Sequence, residues 1–218
     1  MEQLEFEESL NRITETMSYS NPDIKDRIIE DEVSDKQPYF VNATVVYVVV
    51  ESSGDSPQAM QCFLAESSRI VMAHKNCKDI ICMEDRMIII YSTAFKEELN
   101  HALDDVARIR SLAMIVTKIG KQHGFSKIKV GIGMDYGLVE MYMMRPNVSN
   151  SPKFAWRGPA IKKAQKSAED ANDELIISGV VWNNLSENNQ KLFRKHSFAT
   201  DYYRCNIVNV MMNNWLTK

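Results

Sequence analysis

The sequence predicts an α+β domain, an antiparallel sheet covered by helices on one face, and three features carry that expectation. First, β-branched apolar runs alternate with amphipathic stretches of helical period, in the order β-α-β-β-α-β-β-α-β-α-β. Second, "KDIICMEDRMIIIYS" (78–92) holds the charged triplet Glu84-Asp85-Arg86 between two apolar runs, the pattern of a hairpin. Third, Leu99, Leu103, Val106, Ile109, Leu112, Val116 and Ile119 form one stripe, which marks a single long helix across 94–122.

The elements follow in order. Residues 4–17 read as a short helix with Leu10, Ile13 and Met17 on one stripe and glutamates opposite. "NPDIKDRIIEDEVSDKQP" (21–38) lacks a period and carries two prolines, so it reads as a connector. This divides the chain into an N-terminal helix and connector, 1–38, and a main domain, 39–218. The run 40–50 is the first core strand, and it carries no charge until Glu51. "SGDSP" breaks the chain before an amphipathic stretch, 58–74, whose apolar side is Met60, Phe63, Leu64, Ile70 and Val71. Gly124 closes the long helix as a C-cap. "KIKVGIGMDYGLVEMYMM" (127–144) reads as a hairpin-like pair turning near 135–137, followed by the polar loop "RPNVSNSPK". Gly158-Pro159 opens the next helix with proline in its first turn. A strand at 175–178, a helix through 180–195 and a strand at 202–212 complete the chain.

Composition narrows the function. With 218 residues, 44% hydrophobic and 25% charged, the chain suits one soluble domain with a sizeable core. A net charge of −3 argues against a nucleic-acid surface. Cys62, Cys77, Cys82 and Cys205 show no CxxC pairing, so a zinc site is not expected. Cys77 and Cys82 read as small buried hydrophobes in a reducing compartment. The acidic start "MEQLEFEESL" is no signal peptide, and no apolar run approaches the roughly 20 residues of a membrane span. A cytoplasmic protein without a membrane partner is expected. His74, His101, His123 and His196 share no metal spacing, and no G-x-S-x-G, P-loop or H-E-x-x-H motif occurs.

The order of elements, with the strand "ATVVYVVVESS", the hairpin around Asp85 and the helix "RGPAIKKAQKSA", resembles the catalytic domain of class III nucleotide cyclases. "NCKDI", "KVGIGMDYG" and "YRCNIVNVMMNNW" look like the compact pyrimidine cyclases of bacterial Pycsar antiphage systems. The resemblance spans about 40–210 and implies a ferredoxin-like, dimeric fold with sites at the dimer interface. It also implies chemistry: a nucleoside triphosphate closes its 3′-hydroxyl on its α-phosphate and expels pyrophosphate, assisted by two magnesium or manganese ions.

Carried onto this sequence, the family's second metal-binding aspartate is Asp85, followed six residues on by the aromatic Tyr91. A solvated turn aspartate is the plainer alternative. The family's preceding glycine is Glu84 here. Its first aspartate falls on Val49, two residues beyond Tyr47, and valine cannot ligate. Sliding by two reaches Glu51 on the same side of the strand; Asp55 lies beyond, in the turn. The positions of an orienting asparagine and a phosphate-binding arginine hold Lys162 and Lys166, one helical turn apart. Lysine attracts phosphate as a point charge without arginine's fork, and a solvated basic face is the competing reading. The purine-reading positions hold Ile81 and Ala155, which offer a base edge no hydrogen bond. That leaves a pyrimidine, UTP or CTP, with Tyr47, Arg86 and Arg157 as candidate nucleotide contacts, or no nucleotide. Together these departures predict a cyclase-fold protein impaired in catalysis, acting as a nucleotide-sensing or regulatory subunit. It would pair with itself or with an intact cyclase that supplies the missing aspartate. An active pyrimidine cyclase and an interaction module with a vestigial pocket are the alternatives.

Overall fold

The computed structural model describes residues 3–17, 23–33, 37–52, 57–125, 127–144, 153–196 and 201–217. In chain order the elements are α1 (Gln3–Met17), β1 (Ile24–Lys25), β2 (Tyr39–Ser52), α2 (Pro57–Met72), β3 (Cys77–Cys82), β4 (Arg86–Tyr91), α3 (Lys96–Gln122), β5 (Ile128–Met144) and β6 (Lys153–Arg157). Then come α4 (Pro159–Asp170), β7 (Leu175–Ser178), α5 (Gly179–Asn184), α6 (Glu187–Gln190), β8 (Arg194–Lys195), β9 (Tyr202–Cys205) and α7 (Val210–Leu216).

The strands make one sheet in the order β3-β4-β2-β5-β7-β9-β8, with β1 added to β2 and β6 to β5. Pairing is antiparallel except for β1 with β2 and β5 with β7. β2 sits in the middle, and both its faces are buried. Val46, Val48 and Val50 pack under α2 and α3, while Val41, Ala43, Val45 and Tyr47 pack under α4. A strand buried on both sides has no place for a charge, which accounts for the apolar run. Among the described residues, no helix is long and apolar enough to cross a membrane.

Four expectations change. Helices cover both faces, because α4 lies opposite α2 and α3. The stretch 127–144 is one continuous strand: Asp135 pairs with Val45 and Gly137 with Ala43, so the ladder with β2 overrides the turn-forming residues. Its hairpin partner is β6, and the loop between them lies outside the described residues. The segment 202–212 divides into β9 and α7, because the Asn209 side chain caps the helix by accepting from Met212 N at 3.1 Å. The helix expected through 180–195 is two short helices, α5 and α6, each capped by a serine (Ser178 and Ser186) whose hydroxyl accepts from the first turn.

Part of the expected connector is built into the domain. Ile28 and Val33 are buried, and Tyr39 Oη donates to Arg27 O at 2.9 Å. α1 exposes Phe6, Leu10 and Ile13; the Met17 side chain lies outside the described residues. Gly124, at φ +77°, takes the left-handed conformation expected of a residue just past a helix end.

Candidate nucleotide site

The hairpin turn between β3 and β4 is stitched to the end of β2. Met83 N donates to Arg86 O, and Val50 N donates to Asp85 O, both at 2.8 Å. Beside this turn opens a cavity of about 810 Å³. Val50 and Ser52 form one wall, α2 from Pro57 to Ser68 a second, and Cys82, Glu84 and Asp85 a third. Cys82 is therefore exposed on the cavity wall, not a buried hydrophobe, with its Sγ 3.6 Å from Ser68 Oγ. Cys77 is half-buried, as an edge strand allows.

Strand alternation decides what β2 offers here. Val50 and Ser52 face the cavity. Val49 faces the other way and packs against the core beneath α4. Glu51 shares Val49's side, is exposed, and stands across from Lys129 in the β5 register. Level with Asp85, β2 thus presents a valine on each face. The carboxylates lining the cavity are Glu84 and Asp85, and Glu51 is not brought to it. Asp55 lies outside the described residues. Among the described residues, no group of three or more histidine, cysteine or acidic side chains is placed to hold a metal.

On the α4 side of the same turn, Arg86 gathers several groups. Its Nε donates to Asp85 Oδ1 at 3.1 Å, and its Nη1 lies 3.7 Å from Glu169 of α4. A hydrogen bond with Tyr47, and then the Asp85 charge, hold the guanidinium above its ordinary range. Tyr47, Arg86 and Asp85 are therefore brought together, with Tyr47 buried on the strand. Lys162 and Lys166 are exposed on α4, the helix that also reaches Arg86 through Glu169. Arg157 stands apart from this group: its Nε donates to Glu140 Oε2 at 2.5 Å and its guanidinium covers the Tyr142 ring at 4.9 Å.

Sequence reasoning missed a polar pair beside Ile81 and Ala155. Trp156, next to Ala155, donates its indole N–H to Asp79 Oδ2 at 2.6 Å, and Asp79 lies two residues from Ile81 on β3. The signal available was a charge inside the strand "CKDIIC", where the period favours apolar residues. Three further carboxylates are buried among the described residues: Glu174, which accepts from Arg204 Nε at 2.8 Å, Asp135 and Asp105. Asp135 makes no well-formed hydrogen bond; burial raises it, and Ser178 and Lys163 offset only part. Asp105 is also raised by burial, with His74 the largest opposing influence.

No protein-family model matches the chain. A uridylate cyclase from Treponema porcinum is 22% identical over 205 residues, covering 87% of this chain and 72% of that protein. Among solved structures, a class III adenylyl cyclase-like ATP-binding protein from Pseudomonas aeruginosa superposes with a TM-score of 0.67 at 12% identity, over 96% of this chain and 48% of that one. The adenylyl cyclase CyaB from P. aeruginosa gives 0.63 at 11% identity, over 77% and 94%. The guanylyl cyclase Cya2 gives 0.57 at 11%, over 75% and 90%.

Proposed function

We propose that this chain, which has the fold of a class III nucleotide cyclase domain and is related in sequence to a uridylate cyclase, binds a pyrimidine nucleoside triphosphate but is catalytically impaired on its own. It acts as a nucleotide-sensing or regulatory subunit, paired with itself or with an intact cyclase, in antiphage cyclic-nucleotide signalling of the Pycsar kind. One observation carries the reading: β2 meets Asp85 with a valine on both faces.

Cyclisation needs two divalent ions held by carboxylates that converge from neighbouring strands. The donors fit one ion: Asp85 and Glu84 stand together on the cavity wall, and magnesium is commonly held by one or two carboxylates plus substrate phosphates. Magnesium or manganese bound there would lower the pKa of the 3′-hydroxyl and neutralise charge on the triphosphate. The remaining work falls to this chain's own residues. Lys162 and Lys166, on the α4 face across the sheet from this cavity, attract only phosphates that reach round the β3–β4 turn, and without fixing their orientation. On that same face Tyr47 and Arg86 offer a hydroxyl and a guanidinium to the edge of a pyrimidine, while Ile81 and Ala155 offer a purine no hydrogen bond. A heterodimer partner would supply the missing aspartate.

An active pyrimidine cyclase, making cyclic UMP or cyclic CMP, is the second reading. The observation that favours it is Glu84, which places another carboxylate beside Asp85. Calorimetric titration with UTP, CTP, ATP and GTP in the presence of manganese tests the binding claim. A pyrimidine preference that weakens in Arg86→Ala supports it. Absence of binding by all four would leave only an interaction module with a vestigial pocket.

A further inference from the structure

Two surfaces are left open within this chain, and they carry opposite charge. The stretch 3–17, which forms α1, holds four glutamates (Glu5, Glu7, Glu8 and Glu15) against one arginine, Arg12, a net charge of −3. Its apolar stripe of Phe6, Leu10 and Ile13, spaced i, i+4 and i+7, is 54%, 46% and 50% exposed, so about half of each side chain stays in water. At the opposite end of the fold, β8 ends the sheet, and its outer edge pairs with no described strand. The run 191–196 around β8 holds Lys191, Arg194 and Lys195 and no acid, a net charge of +3 with His196 neutral. Leu192 within it is 53% exposed, while Phe193 packs against the core. Arg194 stands directly opposite Arg204 in the register, and Lys195 opposite Tyr203. Like charges face to face on a sheet repel, and the carboxylate at hand, Glu174, is taken by Arg204 through two N–H donors. Asp201, beside β9, lies against Gly179 instead. Among the described residues, Lys191, Arg194 and Lys195 have no carboxylate partner.

We propose that α1 of one copy docks on the β8 edge of a second copy, its apolar stripe on Leu192 and its glutamates against Lys191, Arg194 and Lys195. Complementarity selects the occupant: the edge calls for an acidic partner with an apolar stripe, and α1 supplies both. The dimensions agree as well. The stripe from Phe6 to Ile13 spans about 10 Å at the helical rise, and an extended run 192–195 spans about 10 Å. Each copy carries one such helix and one such edge. Two copies related by a two-fold axis therefore satisfy both contacts at once and close as a dimer, without propagating into a filament. Docking also removes the exposed stripe from water, which favours association in the ordinary hydrophobic way. The sheet order puts β8 at the far end from the β3–β4 turn, so this interface is remote from the cavity beside Asp85. The pairing goes beyond the nucleotide reading and does not depend on it.

The test is sedimentation velocity of the full chain without nucleotide, at low salt and at about 0.5 M salt. The wild type should be a dimer at low salt, with a dissociation constant about tenfold higher at about 0.5 M salt, where exposed charges are screened. Leu10→Asp on the helix should raise the low-salt constant about tenfold, and so should Arg194→Glu with Lys195→Glu on the edge. Adding Glu7→Lys and Glu8→Lys to the edge pair exchanges the charges and should restore the dimer. A second measurement places the contact. Chains carrying Ile13→Cys are mixed with chains carrying Leu192→Cys and oxidised, and mass spectrometry should find position 13 linked to position 192 in a species of twice the chain mass. A monomeric wild type at low salt overturns the proposal, as does a dimer that the edge pair leaves intact. Links between two copies of position 13 overturn it by showing helix paired with helix. With both cysteines on one chain, a 13–192 link at monomer mass overturns it in favour of docking within the chain.

Discussion

Gly133→Ala should displace α4, and the size of the effect follows from the packing of that helix on β5. A Cβ at Gly133 would stand 1.9 Å from Ala164 O, 2.6 Å from Ala168 N and 2.9 Å from Ala164 C. All three are backbone atoms of α4, so no rotamer change relieves the clash. Ordinary contact begins near 3.4 Å, so the helix must move by about 3.4 − 1.9 = 1.5 Å at this point. The surrounding Ala160, Ala164 and Ala168 are at most 1% exposed, which leaves no slack between helix and strand. Overpacking of a tight core costs about 1–3 kcal/mol, and a backbone clash belongs at the top of that range. A loss of about 3 kcal/mol in urea unfolding is expected, or roughly 6–12 °C in Tm for a chain of this size. The control is Gly137→Ala on the same strand, where the new methyl would meet only Ala160 Cβ, at 3.8 Å. That variant should stay within about 0.5 kcal/mol of the wild type. Equal stability of the two variants, or a Gly133→Ala protein as stable as the wild type, would refute the packing account.

Other outcomes follow from buried charge and from the α4 lysines. Burial raises Asp135 above the ordinary carboxylate value of 3.8, so the fold favours its protonated form. That contribution is full below the ordinary value and is lost as pH rises through the raised one. Asp135→Asn should therefore be more stable than the wild type at pH 7 to 8, with the gap closing on acidification below pH 4; a pH-independent difference in thermal melts would contradict this. Arg110 donates to Ile207 O at 3.3 Å and to Asp173 O at 2.5 Å, tying two chain segments to α3. Arg110→Met should cost about 2–3 kcal/mol in urea unfolding and raise amide exchange at 206–209. Lys162→Glu combined with Lys166→Glu should weaken triphosphate binding at least tenfold in a titration, and wild-type affinity should fall as salt rises.

Much of the architecture was legible because periodicity reports burial. β2, the β3–β4 hairpin and α3 fall close to their expected places, each with an unambiguous apolar pattern. The stretch around Asp135 was not, since Asp-Tyr-Gly satisfies turn chemistry locally and only the long ladder with β2 holds it extended. α4's face was equally hidden: nothing in "AIKKAQKSA" says which side of the sheet receives it, whereas the contacts at Gly131 and Gly133 do. At the candidate site, Asp85 was legible from its spacing. The inward position of β2 was not, because Val49 and Val50 are chemically alike and only the register with Arg86 tells their faces apart. The bond between His74 and Asp105 was invisible for a different reason: the two lie 31 residues apart, on separate elements.

The central claim, a nucleotide site that has lost half its metal-binding carboxylates, is tested most directly by turnover. Purified chain is incubated with UTP or CTP and manganese, and cyclic product and pyrophosphate are measured. The chain alone should give neither product above a no-protein control, although it binds the triphosphate. Formation of cyclic UMP or cyclic CMP by the chain alone, abolished in Asp85→Ala, would contradict the impairment and make the active cyclase the correct reading.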